Sequence, residues 1–454
     1  MQIHLIAVGG SVMHNLAIAL SKKGYQVTGS DDMIFEPSKS RLLKYGLLPS
    51  GEGWNIHNIH AGLDAVILGM HAKADNPELL KAKELGIPIY SYPEYIYEQS
   101  KNKVRVVIGG SHGKTTITSM IMHVLSYHGK SFDYLVGAQL EGFETMVKVT
   151  TDAPLIIIEG DEYLASPVDK RPKFHLYKPS IAVLSGIAWD HINVFPTFDI
   201  YLEQFISFLK TIESGGTLIY CNEDVELGRI VDMDSSGLIK IPYGIPPHKI
   251  ESGITQLVVA EKLVPLQIFG DHNLLNLNAA KKVCVTLGLT EEDFYVAIQS
   301  FKGAAKRLEL LGKDEHVTIF KDFAHSPSKV KATIHSVKKQ YSNRELVSVL
   351  ELHTFSSLNE TFLEQYVGTM DEADQAIIFC DEQNLSHKGI KKMDLLVIRK
   401  FFSNLELEYF TSSEKLKKYL INLNYKNKVL LLMSSGNFGN LNLLELKDKI
   451  LSKY

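Results

Sequence analysis

Gly110-Ser111-His112-Gly113-Lys114-Thr115-Thr116 follows an apolar run, residues 104–108, and opens a segment with helical spacing near Lys114. Glycines let the backbone approach phosphate closely, and amides at a helix N-terminus point at its oxygens. Lys114 suits the outer phosphates of a nucleotide and Thr115 offers a hydroxyl to magnesium. All seven residues are therefore candidates for nucleotide contact. The spacing departs from the common Walker pattern, because Ile108 stands five residues before Gly113 where glycine is usual. A strand, a phosphate loop and a helix in that order call for a parallel sheet with crossover helices.

The same alternation extends in both directions. Upstream, residues 3–8 form an apolar run that ends in Gly9-Gly10, and residues 13–20 carry helical spacing. Further strands are expected over 26–30, 65–68 and 87–90, and the polar stretch 98–103 reads as a linker. Downstream, strands are expected over 155–158 and 181–184, with a fresh alternation at 317–320, 346–350, 376–379 and 429–432. The reading is three α/β units, in keeping with a length of 454 residues at roughly 150 per domain.

The 48 basic and 52 acidic side chains leave a formal net charge of -4, so nothing points to nucleic-acid or anionic-membrane binding. The three cysteines, Cys221, Cys284 and Cys380, lack zinc-ligand spacing and suit a reducing compartment. No apolar run reaches the roughly 18 residues of a membrane span. The N-terminus reads as a strand and not as a secretion signal. A cytoplasmic protein is expected, and no obligatory protein partner is inferred.

Within the second unit, Glu159-Gly160-Asp161-Glu162 directly follows the 155–158 strand. Three carboxylates at the C-terminal edge of a strand suit magnesium, which takes oxygen ligands and shares them with phosphates. Asp190-His191 follows another strand and could complete a second cation site. In Gly270-Asp271-His272-Asn273 the asparagine amide can read an adenine edge, and Arg307 of Lys306-Arg307-Leu308-Glu309 can hold a transferring phosphate. Asp322 follows the first strand of the third unit, where it can accept ribose hydroxyls or start a helix. In the first unit, Gly9, Gly10 and Ser11 form a nucleotide-type turn without the full G-x-G-x-x-G pattern. Asp31, after Ser30, ends the second strand where an acid often meets a ribose.

Taken in order, these motifs resemble the Mur ligase superfamily, the ATP-dependent amide-forming enzymes of peptidoglycan synthesis. Residues 110–116 match the family's shortened phosphate loop, and Glu159 its magnesium-binding glutamate. His191 matches a histidine associated with a second metal. Asn273 and Arg307 match its ATP contacts, and Asp322 its third-domain acid near the ribose. The resemblance implies an α/β, three-domain architecture. A Rossmann-like UDP-sugar domain over 1–100 would use Gly9, Gly10, Ser11, Ser30 and Asp31. A central P-loop ATPase domain would span 101–311, and a Rossmann-like domain for the amine 312–454.

The implied chemistry is phosphorylation of the lactyl carboxylate of UDP-N-acetylmuramate by ATP, followed by amine attack on the acyl phosphate. Lys114, His191 and Arg307 would be catalytic; Thr115, Glu159 and His191 would hold magnesium. Two amines compete, L-alanine and a recycled murein tripeptide. The segments Val27-Thr28-Gly29-Ser30-Asp31 and Asp169-Lys170-Arg171-Pro172-Lys173-Phe174 look more like the tripeptide branch, which is the expectation. Against it, Thr354 stands where relatives usually carry arginine. A P-loop switch that hydrolyses nucleotide for a partner, and a nucleotide-binding oxidoreductase, are the alternatives from other classes.

Overall fold

The structure, a computed structural model, describes residues 1–189, 194–251, 253–303, 308–354, 356–358, 360–382, 394–404 and 406–453. It contains two compact units. One comprises residues 1–246 with 275–298, the other 247–274 with 299–454.

The first unit holds two sheets. Strands β1 (Gln2–Ile6), β2 (Gln26–Ser30), β3 (Ala65–Leu68) and β4 (Ile89–Ser91) pair in parallel in the order β2-β1-β3-β4. The second sheet takes β5 (Val104–Gly109), β6 (Asp133–Leu135), β7 (Val147–Lys148), β8 (Leu155–Glu159), β9 (Ile181–Leu184), β10 (Thr217–Cys221) and β11 (Ile239–Tyr243). Its order is β11-β10-β9-β5-β8-β6-β7, and only the edge strand β7 runs antiparallel to its neighbour. Val106, Val107, Ile108, Ile156, Ile157 and Ile158 are all fully buried, so β5 and β8 read as unbroken apolar runs, as parallel strands buried on both faces do. These two strands are neighbours, with Ile108 opposite Glu159. That register brings the phosphate loop and the acidic motif to one edge.

The polar stretch 98–103 differs from the expected linker. Its first residues are the last turn of the helix Tyr92–Ser100, which begins in a capping box between Ser91 and Glu94. The rest is stitched down by Arg105, a charged residue buried within β5. Its guanidinium donates to the carbonyls of Ser100, Lys101, Lys103, Tyr177 and Lys178 and pairs with Glu213. A buried arginine is tolerable only when its donors are satisfied in this way.

In the second unit, β12 (His248–Glu251), β13 (Ile254–Val259) and β14 (Lys262–Pro265) form an antiparallel meander that the sequence reading did not anticipate. The larger sheet joins β15 (Glu309–Lys313), β16 (Val317–Asp322), β17 (Glu345–Glu351), β18 (Gln375–Phe379), β19 (Glu408–Phe410) and β20 (Lys428–Met433). The order is β15-β16-β20-β17-β18-β19, parallel except for β15. Its two faces carry separate apolar cores, one around Ile334, Leu350 and Ile378 and one around Ile319, Val349 and Leu430. The mixed α/β class with three mainly parallel sheets is as expected. Among the described residues, no helix is long and apolar enough to cross a membrane.

Candidate functional site

The turn after β5 is a phosphate cradle by construction. Gly110 has φ 118° and Gly113 φ 77°, conformations that favour glycine. A methyl group on Gly110 would run into Ser185, and one on Gly113 into the carboxamide of Asn276. The loop leans on the segment after β9: the Ser111 amide donates to Gly186 O at 3.0 Å, and Ala188 N donates to Ser111 Oγ at 2.8 Å. Gly113 caps the helix Lys114–Tyr127, which has no side-chain cap and no acidic residue in its first turn. Its N-terminal amides and dipole therefore favour an anion.

Lys114 Nζ donates to Gly110 O and to Glu162 Oε2, both at 2.7 Å. Burial works against its ammonium, but Glu162, Asp161 and Glu159 outweigh that and hold its pKa above the ordinary lysine value. Thr115 Oγ1 donates to Glu159 Oε1 at 2.6 Å, and the Gly137 amide donates to Glu159 Oε2 at 2.8 Å. Burial raises the Glu159 pKa, with Thr115, Gly137 and Lys114 pulling the other way.

The three carboxylates expected to share magnesium thus have three different partners. Only Glu159 meets Thr115. Asp161 accepts from Lys173, whose ammonium also lies 5.8 Å from the Tyr92 ring centre and 5.6 Å from that of Tyr163. Lys173 belongs to the Asp169–Phe174 motif, and the neighbouring Phe174 stacks on Phe208 with ring centres 4.5 Å apart. Such a pair adds about 0.5–1.5 kcal/mol beyond its burial. It ties the acidic loop to the helix Phe198–Leu209, which also supplies Tyr201. Glu159 and Thr115 offer hard oxygens of the kind magnesium takes, with phosphate and water completing the shell. Among the described residues, no three His, Cys, Asp or Glu side chains form a metal cluster, so a metal here relies on that sharing. His191, the second expected metal ligand, and Arg307 lie outside the described residues.

In the sugar-nucleotide region, Gly9 N donates to Asp31 Oδ2 at 2.7 Å. Burial, and then the neighbouring Asp32, push the Asp31 carboxyl up to about 6. Gly10 caps the helix Ser11–Lys22, again without a side-chain cap. Ser30 turns inward: its hydroxyl donates to Glu78, which also lies 3.3 Å from His4 Nε2. Its side chain therefore fixes the end of β2 from inside the domain.

In the second unit, Asn273 Nδ2 donates to Phe269 O at 2.9 Å. Asp322 accepts from Leu308 N at 2.7 Å and Ala324 N at 2.6 Å, so each carboxylate oxygen already has one backbone partner. A cavity of about 140 Å³ is walled by Phe269, Asn273, Leu308, Phe320 and Tyr341. Thr354, in the place of the expected arginine, caps a short turn: Ser357 N donates to its Oγ1 at 3.1 Å. Sequence reasoning missed Glu162 as the partner of Lys114, and Ser185, Tyr201 and Asn276 beside the loop. Only Asn276 carried a signal, since it lies three residues after Asn273 on one helix.

Residues 2–103 match the Mur ligase family catalytic domain, 108–284 the Mur ligase middle domain, and 306–436 the Mur ligase glutamate ligase domain. A UDP-N-acetylmuramate–L-alanine ligase of Clostridium tetani is 29% identical over 457 residues, covering 96% of each chain. A UDP-N-acetylmuramate:L-alanyl-γ-D-glutamyl-meso-diaminopimelate ligase of Neisseria meningitides is 25% identical, with a TM-score of 0.60, over 66% of this chain and 98% of that one. The UDP-N-acetylmuramate–alanine ligase structure of Thermotoga maritima, at 19% identity, shares the fold with a TM-score of 0.67 over 100% and 99% of the two chains. The phosphate loop and Glu159 both fall within the matched middle domain, and the three matches follow one another along the chain. By these matches, the chain belongs to the Mur ligase superfamily.

Proposed function

We propose that this chain uses ATP to join the lactyl carboxylate of UDP-N-acetylmuramate to the amine of L-alanine, releasing ADP and phosphate in the cytoplasm. The observation that carries the nucleotide chemistry is the meeting of the Lys114 loop with the Thr115–Glu159 pair at one sheet edge. L-alanine is preferred over the tripeptide because several sequence relatives matched along nearly the whole chain at 28–29% identity, the Clostridium tetani enzyme among them, are named L-alanine ligases. The tripeptide is the second reading. It draws on the Asp169–Phe174 motif and on the similarity to the Neisseria enzyme.

A carboxylate and a triphosphate repel each other, so phosphoryl transfer needs fixed positive charge at the approaching oxygens. Lys114 supplies an ammonium, and the amides at the start of the helix Lys114–Tyr127 supply aligned dipoles. Magnesium, when bound, would be held by Thr115 and Glu159 and would offset charge on the outer phosphates. Asn273 keeps the adenine contact that the family resemblance gives it. Asp322 would orient a ribose through its remaining lone pairs. In the first domain, Gly9, Gly10, Ser11 and Asp31 would receive the sugar nucleotide, with Ser30 holding the strand end beneath them. His191 and Arg307 keep the roles the family resemblance gives them. The deciding experiment is mass spectrometry of products after incubation with ATP, magnesium, UDP-N-acetylmuramate and each amine separately. An L-alanyl product is expected. A product only with tripeptide would reverse the preference, and phosphate release without either acceptor would favour a nucleotide switch.

A further inference from the structure

We propose that Glu162 is a positioning residue for the phosphate loop: an exchangeable counter-ion of Lys114 that competes with nucleotide phosphate and so keeps product release fast. The inference rests on the nucleotide-site reading above and adds a residue to it.

An ammonium has three donors. Lys114 directs one at Gly110 O and one at Glu162 Oε2, leaving the third for a phosphate oxygen. The two partners are buried unequally: the Glu162 side chain is 1% exposed and that of Lys114 17%. The carboxylate lies beneath the cation, and the cation faces the loop. Glu162 is also tethered. Its Oε1 accepts from Tyr201 OH at 3.3 Å, and that hydroxyl lies 2.8 Å from Ser111 Oγ in the loop itself. A tethered carboxylate cannot follow the ammonium toward a ligand. It can only share the charge or lose part of it. Glu159 and Asp161 do not substitute, because their own contacts are with Thr115 and Gly137 and with Lys173.

Two charges about 4 Å apart near a protein surface interact by several kcal/mol, so a carboxylate at this position markedly lowers the attraction of Lys114 for phosphate. E162Q keeps the shape and an acceptor for the ammonium but removes the competing charge. Magnesium-ADP binding to the full chain, measured by calorimetry, is expected to tighten about tenfold or more in E162Q. KM for ATP and kcat should fall together as product leaves more slowly. E162D keeps the charge but is one methylene shorter, and its ADP affinity should lie between the two. A purely structural Glu162 predicts the reverse, a loosened loop and weaker ADP binding. Unchanged or weaker ADP affinity in either folded variant overturns the proposal. Failure of the wild-type chain to bind magnesium-ADP would instead overturn the nucleotide-site reading.

Discussion

The turn after β1 and the turn after β5 both carry the chain from the C-terminal end of a parallel strand into a helix, and their electrostatics are opposite. After β1, the Gly9 amide is spent on the carboxylate of Asp31, and that acid's pKa is pushed up to about 6. After β5, a lysine reaches across its own loop and the carboxylates lie beyond it. The glycines differ as well. Gly10 has φ -58°, and a methyl group on it would make ordinary contacts, with the Met13 side chain at 3.5 Å and Ala7 O at 3.7 Å. Gly113 has φ 77° and is pressed against Asn276. A shared strand-turn-helix shape therefore does not make a shared ligand. The first turn suits hydroxyls and amides with an acid in reach, the second a polyanion.

Substitutions in the two turns test that contrast. The largest effect is expected for Lys114→Ala, with amide formation reduced about 1,000-fold or more and UDP-sugar affinity unchanged in calorimetry. Loss of sugar-nucleotide binding as well would mean the two turns act as one site. Gly113→Ala comes next, costing roughly 1–3 kcal/mol in denaturant unfolding through strain and the Asn276 clash.

Asp31→Asn should act in the opposite direction on stability. With a folded pKa of about 6 against an ordinary 3.8, the native state holds a proton that the unfolded chain has released. Stability contributed at this site therefore falls as pH rises from 3.8 to about 6, and above that window the ionised carboxylate is a net cost. The variant should gain on the order of 1–2 kcal/mol at pH 7.5 and nothing at pH 3, while binding the UDP-sugar more weakly. A gain of equal size at both pH values would remove the acid from the comparison. Gly10→Ala is expected to do least, within about 0.5 kcal/mol of wild type by thermal unfolding. A loss as large as that of Gly113→Ala would mean the turns are equally strained.

Much of this architecture was legible because parallel strands buried on both faces leave continuous apolar runs, as in β3 and β9, whose limits match the sequence reading. The phosphate loop was legible because glycine, lysine and threonine at that spacing serve few other purposes. The meander β12–β14 was not, since its strands are half exposed and mix polar with apolar positions on both faces. Nor was the partition of the acidic motif. Adjacent residues in a chain point in different directions, so Glu159, Asp161 and Glu162 reach three different partners although the sequence groups them as one cluster. Thr354 was read as the loss of an arginine, and its capping bond to Ser357 becomes visible only once the turn is folded.

Arg105 changes how the chain can be taken apart. A charged stretch such as 98–103 is where a fragment boundary would ordinarily be cut, yet three of its carbonyls are acceptors for one buried guanidinium. A central-domain fragment starting at Lys103 would strip Arg105 Nη1 of two of its three carbonyl acceptors and leave it Lys103 O alone. The stretch should for the same reason resist trypsin at Lys101 and Lys103 in the intact protein, despite being rich in cleavable residues. In this chain the join between the first two sheets is fastened from inside a strand.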